Sequence, residues 1–142
     1  TYRVGREPLV IVRGQNGEVH AVWNVCRHRG SLICLEPCGT VKKLVCPYHQ
    51  WVYEKDGSLF AARQMPDDFD KAAFGLHKAR VHVFEGFIFI NFSEDAPDFT
   101  PPHEAPMYPV HDLAGAKICH RAEYNVRANW KIVIENFVEC YH

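Results

Sequence analysis

Short apolar runs separated by turn residues fill the first 92 positions of the chain. Each run is rich in β-branched and aromatic residues, which favour pleated, half-buried strands. Three pairs of runs flank a turn signal, at Asn16-Gly17, Asp56-Gly57 and Glu85-Gly86, and each pair predicts a β-hairpin. The hairpins span residues 8–24, 51–60 and 80–92. Because no long helical pattern interrupts them, the sequence predicts an antiparallel β-sandwich.

The pattern changes after the third hairpin. Five prolines fall among acidic residues between positions 94 and 116, which is typical of an ordered but irregular linker. Residues 117–126 favour a strand, and apolar residues over 130–141 recur at the spacing of an amphipathic helix. On the polar side of that helix, Glu139 and His142 would share a face, one turn apart. The chain lacks an initial Met and stops inside this pattern, so we expect a piece of a longer protein.

Composition narrows the function classes. Sixteen Lys and Arg balance 17 Asp and Glu, and this argues against a protein that binds nucleic acid or an anionic membrane surface. No apolar run approaches the roughly 18 residues of a membrane span. The unusual feature is six Cys and nine His, which are the soft and borderline metal ligands. A metal centre is therefore the first chemistry to consider.

Two Cys/His pairs have the spacing of a metal site. Cys26 and His28 form C-x-H, and Cys46 and His49 form C-x₂-H after 17 intervening residues. Each pair follows a strand-like run, so two neighbouring loops would converge. Two thiolates on one iron and two neutral imidazoles on the other are the ligands of a Rieske [2Fe–2S] centre. A structural zinc site uses the same residue types but wider spacings within each pair, and four unlinked core residues are a further alternative.

The strings CRHRGS at 26–31 and CPYHQWVY at 46–53 resemble the Rieske motif of the ring-hydroxylating, or Rieske non-haem iron, oxygenases. The family commonly has Gly where this chain has Gln50. Respiratory Rieske proteins carry two further Cys at the positions of Ser31 and Tyr48, and their absence indicates the oxygenase or ferredoxin branch.

Other residues near the motif have more than one interpretation. The resemblance implies that Tyr53 donates a hydrogen bond to a ligand sulfur, and plain core packing is its other interpretation. Cys34 and Cys38 lie between the two loops. We interpret them as free thiols, because a chain with an iron–sulfur cluster is expected in the cytoplasm, with a zinc pair or a disulfide as alternatives.

Residues 130–142 resemble the beginning of the family's catalytic domain. The resemblance implies that His142 is the first ligand of a mononuclear Fe(II) held by two His and one carboxylate. It further implies that Glu139 bridges by hydrogen bonds to His49 of a neighbouring subunit, although spacing alone would also allow Glu139 to bind the metal of His142. Glu at this position is typical of the branch that acts on quaternary ammonium compounds. Asn136 matches a residue near the iron that is not normally a strong ligand.

The resemblance implies a whole architecture and activity. Residues 1–93 would form a mostly β Rieske domain with two cluster-binding loops, 94–116 a linker, and 117–142 the first strand and helix of an α+β catalytic domain. The cluster would pass electrons to Fe(II), which activates O₂ to hydroxylate a small organic substrate, a quaternary ammonium compound first and an aromatic compound next. An NAD(P)H-dependent reductase or a ferredoxin would supply electrons to a head-to-tail homotrimer. A Rieske-type ferredoxin without oxygenase activity is the alternative.

Overall fold

Eight strands make up two antiparallel sheets in residues 1–101 and 112–139, the part that the computed structural model describes. The strands are β1 (Tyr2–Val4), β2 (Glu7–Arg13), β3 (Val19–Trp23), β4 (Leu44–Val45), β5 (Val52–Tyr53), β6 (Leu59–Ala61), β7 (Lys78–Phe84) and β8 (Phe87–Asn91). Short 3₁₀ helices cover Lys71–Phe74 and Leu113–Gly115, and one α-helix, α1, covers Trp130–Val138. No helix in the described residues is long and apolar enough to cross a membrane.

The sheets contain all three predicted hairpins. The larger sheet has the order β1-β2-β3-β7-β8 and the smaller one β4-β5-β6. In the β7–β8 hairpin, Glu85 and Gly86 have φ values of 48° and 82°. Positive φ at both central residues is the geometry that matches the twist of two-residue hairpins. The mostly β, antiparallel fold expected from the sequence is confirmed.

The core lies between the two sheets and includes both candidate cysteines. Val22 of β3, Leu44 of β4 and Tyr53 of β5 are fully or almost fully buried. Cys26 and Cys46 are each 2% exposed and belong to the same cluster of packed residues. The candidate metal loops are therefore anchored in the core at their first residue.

The structure differs from the sequence prediction at two places after the β domain. Residues 117–126 form no strand, and all of them are exposed. A strand needs a ladder partner, and this segment pairs with none of the described strands. α1 ends at Val138, and Glu139 is an extended C-cap residue with ψ 137°. The predicted continuation of the helix through Glu139 is therefore wrong, and His142 lies outside the described residues.

Part of the linker packs on the β7–β8 hairpin. The Arg80 guanidinium donates to the Ala96 carbonyl and to the Asp98 carboxylate, the latter at 3.2 Å. The Phe99 ring stacks on His82 with centroids 4.1 Å apart. These contacts hold an irregular segment in place without regular secondary structure.

Candidate metal centre

The two Cys/His loops share one backbone hydrogen-bond pattern. In the first loop, the Cys26 N–H donates to the Ser31 carbonyl at 2.8 Å, and the Gly30 N–H donates to the Cys26 carbonyl at 2.9 Å. The equivalent bonds of the second loop join Cys46 to Trp51 at 2.9 Å and to Gln50 at 3.0 Å. Each loop thus closes on its own cysteine in the same way, although the His follows at a different spacing.

The shared loop geometry requires a left-handed residue four positions after each cysteine. Gly30 has φ 74° and Gln50 has φ 57°. Glycine adopts this conformation without steric penalty, whereas for an L residue with a side chain it costs roughly 1–2 kcal/mol. The requirement for a left-handed residue accounts for the Gly that the family motif commonly has at this position. Gln50 keeps the same backbone conformation at the cost of local strain.

The four candidate ligands form an inner and an outer pair. The Cys26 and Cys46 thiols are buried, while His28 is half-buried and His49 is exposed. The two imidazole rings meet edge to face with centroids 4.8 Å apart. A two-iron cluster with thiolates on one iron and imidazoles on the other needs this separation into pairs. The donor set therefore fits a [2Fe–2S] cluster better than a single tetrahedral ion.

The local electrostatics act in opposite directions on the two kinds of ligand. Burial raises the pKa of the Cys26 thiol, which favours the protonated thiol over the metal-binding thiolate, and the hydrogen bond with Tyr53 opposes this shift. Desolvation, followed by the neighbouring His49 and Arg29, lowers the pKa of His28. The neutral imidazole is the form that binds a metal, so the lowered pKa of His28 favours the ligating state.

Tyr53 contacts the first cysteine inside the core. Its side chain is fully buried, and its hydroxyl oxygen lies 3.2 Å from the Cys26 sulfur. The same oxygen accepts the Arg27 N–H at 3.0 Å, which leaves the tyrosine proton free to point at the sulfur. Burial raises the pKa of Tyr53, so the hydroxyl stays protonated as a donor. Tyr53 thus both packs in the core and contacts a candidate ligand sulfur.

We expect Tyr53→Phe to lower the reduction potential of the protein by about 40 mV. The hydroxyl would stabilise the more negative, reduced state by about 1 kcal/mol more than the oxidised state, and that energy corresponds to about 40 mV for one electron. Potentiometric titration followed by EPR measures the shift. Tyr124→Phe is the matched control, since Tyr124 is exposed and lies outside both loops. An unchanged potential in Tyr53→Phe would contradict the role.

One buried and two partly buried rings pack beside the first histidine. Trp51 is 2% exposed and stacks on His28 with centroids 4.9 Å apart and planes 11° apart. Phe69 and Phe74 meet the Trp51 ring edge-on at 5.7 and 5.8 Å. Sequence reasoning missed both phenylalanines, because they come from a segment that no motif connects to the loops. This stack restrains the plane of the His28 ring.

Asn24 ties the chain between the two loops to β3. It is a buried polar residue, and its amide oxygen accepts the N–H groups of Ile33 at 3.1 Å and Cys34 at 2.8 Å. Its amide nitrogen donates to the Cys34 carbonyl at 2.7 Å. Sequence reasoning missed this residue too, and the one available signal was a polar side chain inside the apolar run before Cys26.

We expect Asn24→Ala to lower the free energy of unfolding by about 3 kcal/mol. One buried and two part-buried backbone groups would lose their partners, and each unsatisfied buried group costs about 1–3 kcal/mol, less where water can reach it. Chemical denaturation under anaerobic conditions measures the loss. Asn125→Ala, at an exposed position, should change stability by less than about 0.5 kcal/mol. Equal stability of the two variants would show that the Asn24 bonds contribute nothing.

The remaining predicted residues lie apart from this centre. Glu139 and Asn136 are exposed at and near the end of α1. Among the described residues, only those between positions 28 and 65 line the concave surface beside the imidazoles. The structure thus places the two cysteines in one core cluster and the two imidazoles in ring contact, and Glu139 is not among the described residues that line the surface beside the imidazoles. Cys34 and Cys38 are free thiols.

Two family models match the chain. The model for the Rieske [2Fe–2S] domain matches residues 1–84, and the model for the ring-hydroxylating alpha subunit (catalytic domain) matches residues 113–142. The first match covers more than half of the 142 residues. It includes both candidate loops, and the second match includes α1.

Curated relatives extend well beyond the chain. The glycine betaine monooxygenase oxygenase subunit of Pseudomonas aeruginosa is 47% identical over all of this chain and 34% of that protein. The carnitine monooxygenase oxygenase subunit of Acinetobacter pittii is 36% identical over all of this chain and 40% of that protein. The chain thus spans little more than a third of the length of these relatives.

Solved structures agree with the sequence comparisons. The crystal structure of the quaternary ammonium Rieske monooxygenase CntA in complex with L-carnitine matches 99% of this chain and 42% of its own, with TM-score 0.87 and 33% identity. Naphthalene 1,2-dioxygenase with bound indole matches 68% of this chain and 23% of its own, with TM-score 0.64 and 33% identity. Because the Rieske model matches more than half of the residues, the chain belongs to the Rieske [2Fe–2S] domain family, and its residues 113–142 are similar to the catalytic domain of ring-hydroxylating alpha subunits.

Proposed function

We propose that the chain is part of an oxygenase subunit in which a Rieske centre delivers single electrons to a mononuclear iron. The observation that carries the proposal is the paired donor set, with two buried thiols and two surface imidazoles on loops of matching backbone geometry. When bound, the cluster supplies reversible one-electron chemistry at a potential that imidazole ligation raises above that of a four-Cys cluster.

The four side chains divide the work of holding the cluster. Cys26 and Cys46 would hold one iron through their thiolates, and His28 and His49 would hold the other through their imidazoles. The apolar core around the thiols excludes water from the inner side. Because the His49 imidazole is exposed, it would be the route of electron transfer from the cluster to the protein surface.

The second centre is proposed from the end of the chain. His142 would ligate a mononuclear Fe(II), which would supply the activation of O₂; Asn136 would lie near this iron, and Glu139 would bridge the two centres. The resemblance to the family supports a bridge to His49 of another copy, in a head-to-tail homotrimer. The matching organisation is a Rieske domain over 1–93, a linker over 94–116 and the start of a catalytic domain over 117–142.

The substrate class comes from the relatives. Those named for glycine betaine and carnitine act on quaternary ammonium compounds, and Glu139 agrees with that branch. We therefore propose hydroxylation of a quaternary ammonium compound, with an aromatic compound second because anthranilate and naphthalene dioxygenases are also similar. The electron source is an NAD(P)H-dependent reductase or a ferredoxin in the cytoplasm.

Spectroscopy and turnover of the full-length protein test this function. We expect two iron and two sulfide per cluster, a reduced-state EPR signal with average g below the free-electron value, and O₂ uptake that depends on glycine betaine or carnitine. Stoichiometric zinc without sulfide would contradict the cluster. A normal cluster without a second iron or substrate-dependent O₂ uptake would leave an electron carrier of the Rieske ferredoxin kind.

A further inference from the structure

A concave surface opens beside the two imidazoles. We call it the histidine hollow, and it has a volume of about 350 Å³. It is lined by His28, Tyr48, His49, Gln50, Arg63, Gln64 and Met65. Two chain segments contribute most of it, the end of the second cluster loop and the turn at 63–65. The hollow therefore gives the environment that any partner of His49 would meet.

The composition of the hollow is that of a protein interface. Tyr48 is 58% exposed, and its ring lies against His49 with centroids 3.8 Å apart. Tyr, Arg and Met are enriched where proteins bind one another.

The charge of the hollow favours an anion. Arg63 is exposed. Among the described residues that line the hollow, it carries the permanent positive charge, and none of them is a carboxylate. Within the described residues, Arg63 makes no ion pair or side-chain hydrogen bond. A guanidinium has five donors in a planar fork that suits a carboxylate in bidentate fashion. A carboxylate on the molecule that fills the hollow would therefore form an ion pair with Arg63.

The end of α1 offers such a carboxylate. Glu135 lies on α1 four residues before Glu139, is exposed, and makes no ion pair within the described residues. On the proposed function, on which this step rests, Glu139 of a second copy reaches His49. One helical turn separates residues four apart, so Glu135 of that copy would arrive beside the same hollow.

We propose that Arg63 is a positioning residue that pairs with Glu135 of a second copy and so seats the end of α1 over His49. The occupant of the hollow is therefore another molecule of this protein. Arg63 touches neither cluster nor iron in this arrangement. It sets the distance and orientation at which the two copies meet.

Charge reversal and charge exchange test the pair in the full-length holoprotein. Arg63→Glu should leave the visible and EPR spectra of the cluster unchanged. It should slow substrate-dependent reoxidation of the reduced cluster, followed by stopped-flow absorbance, by about tenfold or more, and promote dissociation at lower salt in sedimentation velocity. Arg63→Glu combined with Glu135→Arg should recover most of both losses. Arg6→Glu is the matched control, since Arg6 is exposed in the β1–β2 turn.

The outcomes separate this inference from the proposed function. If Arg63→Glu is reoxidised and assembles like the wild type, Arg63 has no positioning role. Substrate-dependent reoxidation of the wild type would still support the oxygenase function in that case. No recovery in the double variant would overturn Glu135 as its partner. A wild type without substrate-dependent reoxidation would overturn the proposed function, and sedimentation would still test the pair. If Arg63→Glu loses the cluster signal, Arg63→Gln and Glu135→Gln take the place of the charge reversals: each alone should cause the losses, and the double variant should lose no more than either single one. Fully additive losses would overturn the pair.

Discussion

Cys46→Ser is expected to remove the [2Fe–2S] cluster and to destabilise the β domain. The Cys46 side chain is 2% exposed and packs in the core cluster with Leu44 and Tyr53. Serine is a poorer iron ligand than a thiolate. Its hydroxyl would also be buried in an apolar core, and an unsatisfied buried hydroxyl costs about 1–3 kcal/mol. Because ligand binding and folding are coupled in such sites, the loss of the metal adds to this penalty. We expect less than about a tenth of the wild-type iron and sulfide.

Metal analysis and thermal unfolding of the purified variant measure these losses. Cys119→Ser is the matched control, because Cys119 is an exposed free thiol outside both loops. It should keep full iron and sulfide and unfold at the wild-type temperature. A Cys46→Ser protein with wild-type sulfide content and an unaltered visible spectrum would contradict the assignment of Cys46 as a ligand.

Local signals predicted the parts of this fold that depend on neighbouring residues. The turn at Asn16-Gly17 sets the β2–β3 register, in which Val12 pairs with His20 and Arg13 with Val19. The spacing of Cys and His likewise identified the two loops that carry the candidate ligands. Short-range chemistry decides both features, and the sequence is therefore sufficient to predict them.

Contacts between distant residues could not be predicted in this way. Asn24 bonds to Ile33 and Cys34, nine and ten residues away, through a segment with no periodic pattern. Arg63 joins the histidine hollow only because the chain after β6 folds back to the second loop. Residues 117–126 show the opposite error. Their composition favours a strand, but no described segment pairs with them, so no strand forms.

Glu139→Gln in the full-length protein is expected to keep both metals and lose about 100-fold or more of coupled turnover. On the proposed function, the Glu139 carboxylate accepts N–H bonds from two imidazoles at once. Glutamine matches the carboxylate in shape, but only its carbonyl accepts, while its amide group would face an imidazole N–H as a second donor. Loss of such an orienting partner reduces activity by about 10- to 100-fold or more, and here it would also uncouple the two centres.

Product formed per NAD(P)H consumed, with iron content and EPR of the same sample, tests this prediction. Glu123→Gln makes the identical change at an exposed position before α1 and should turn over at the wild-type rate. Unchanged coupled turnover in Glu139→Gln would refute the bridge. Loss of the mononuclear iron with an intact cluster would instead identify Glu139 as a ligand of that iron, the alternative that its spacing from His142 leaves open. Retention of both metals with reoxidation of the cluster slowed about 100-fold or more is the result expected of a bridging residue, because a ligand would lose iron, and a residue that only positions the two copies would be rescued by charge exchange with its partner.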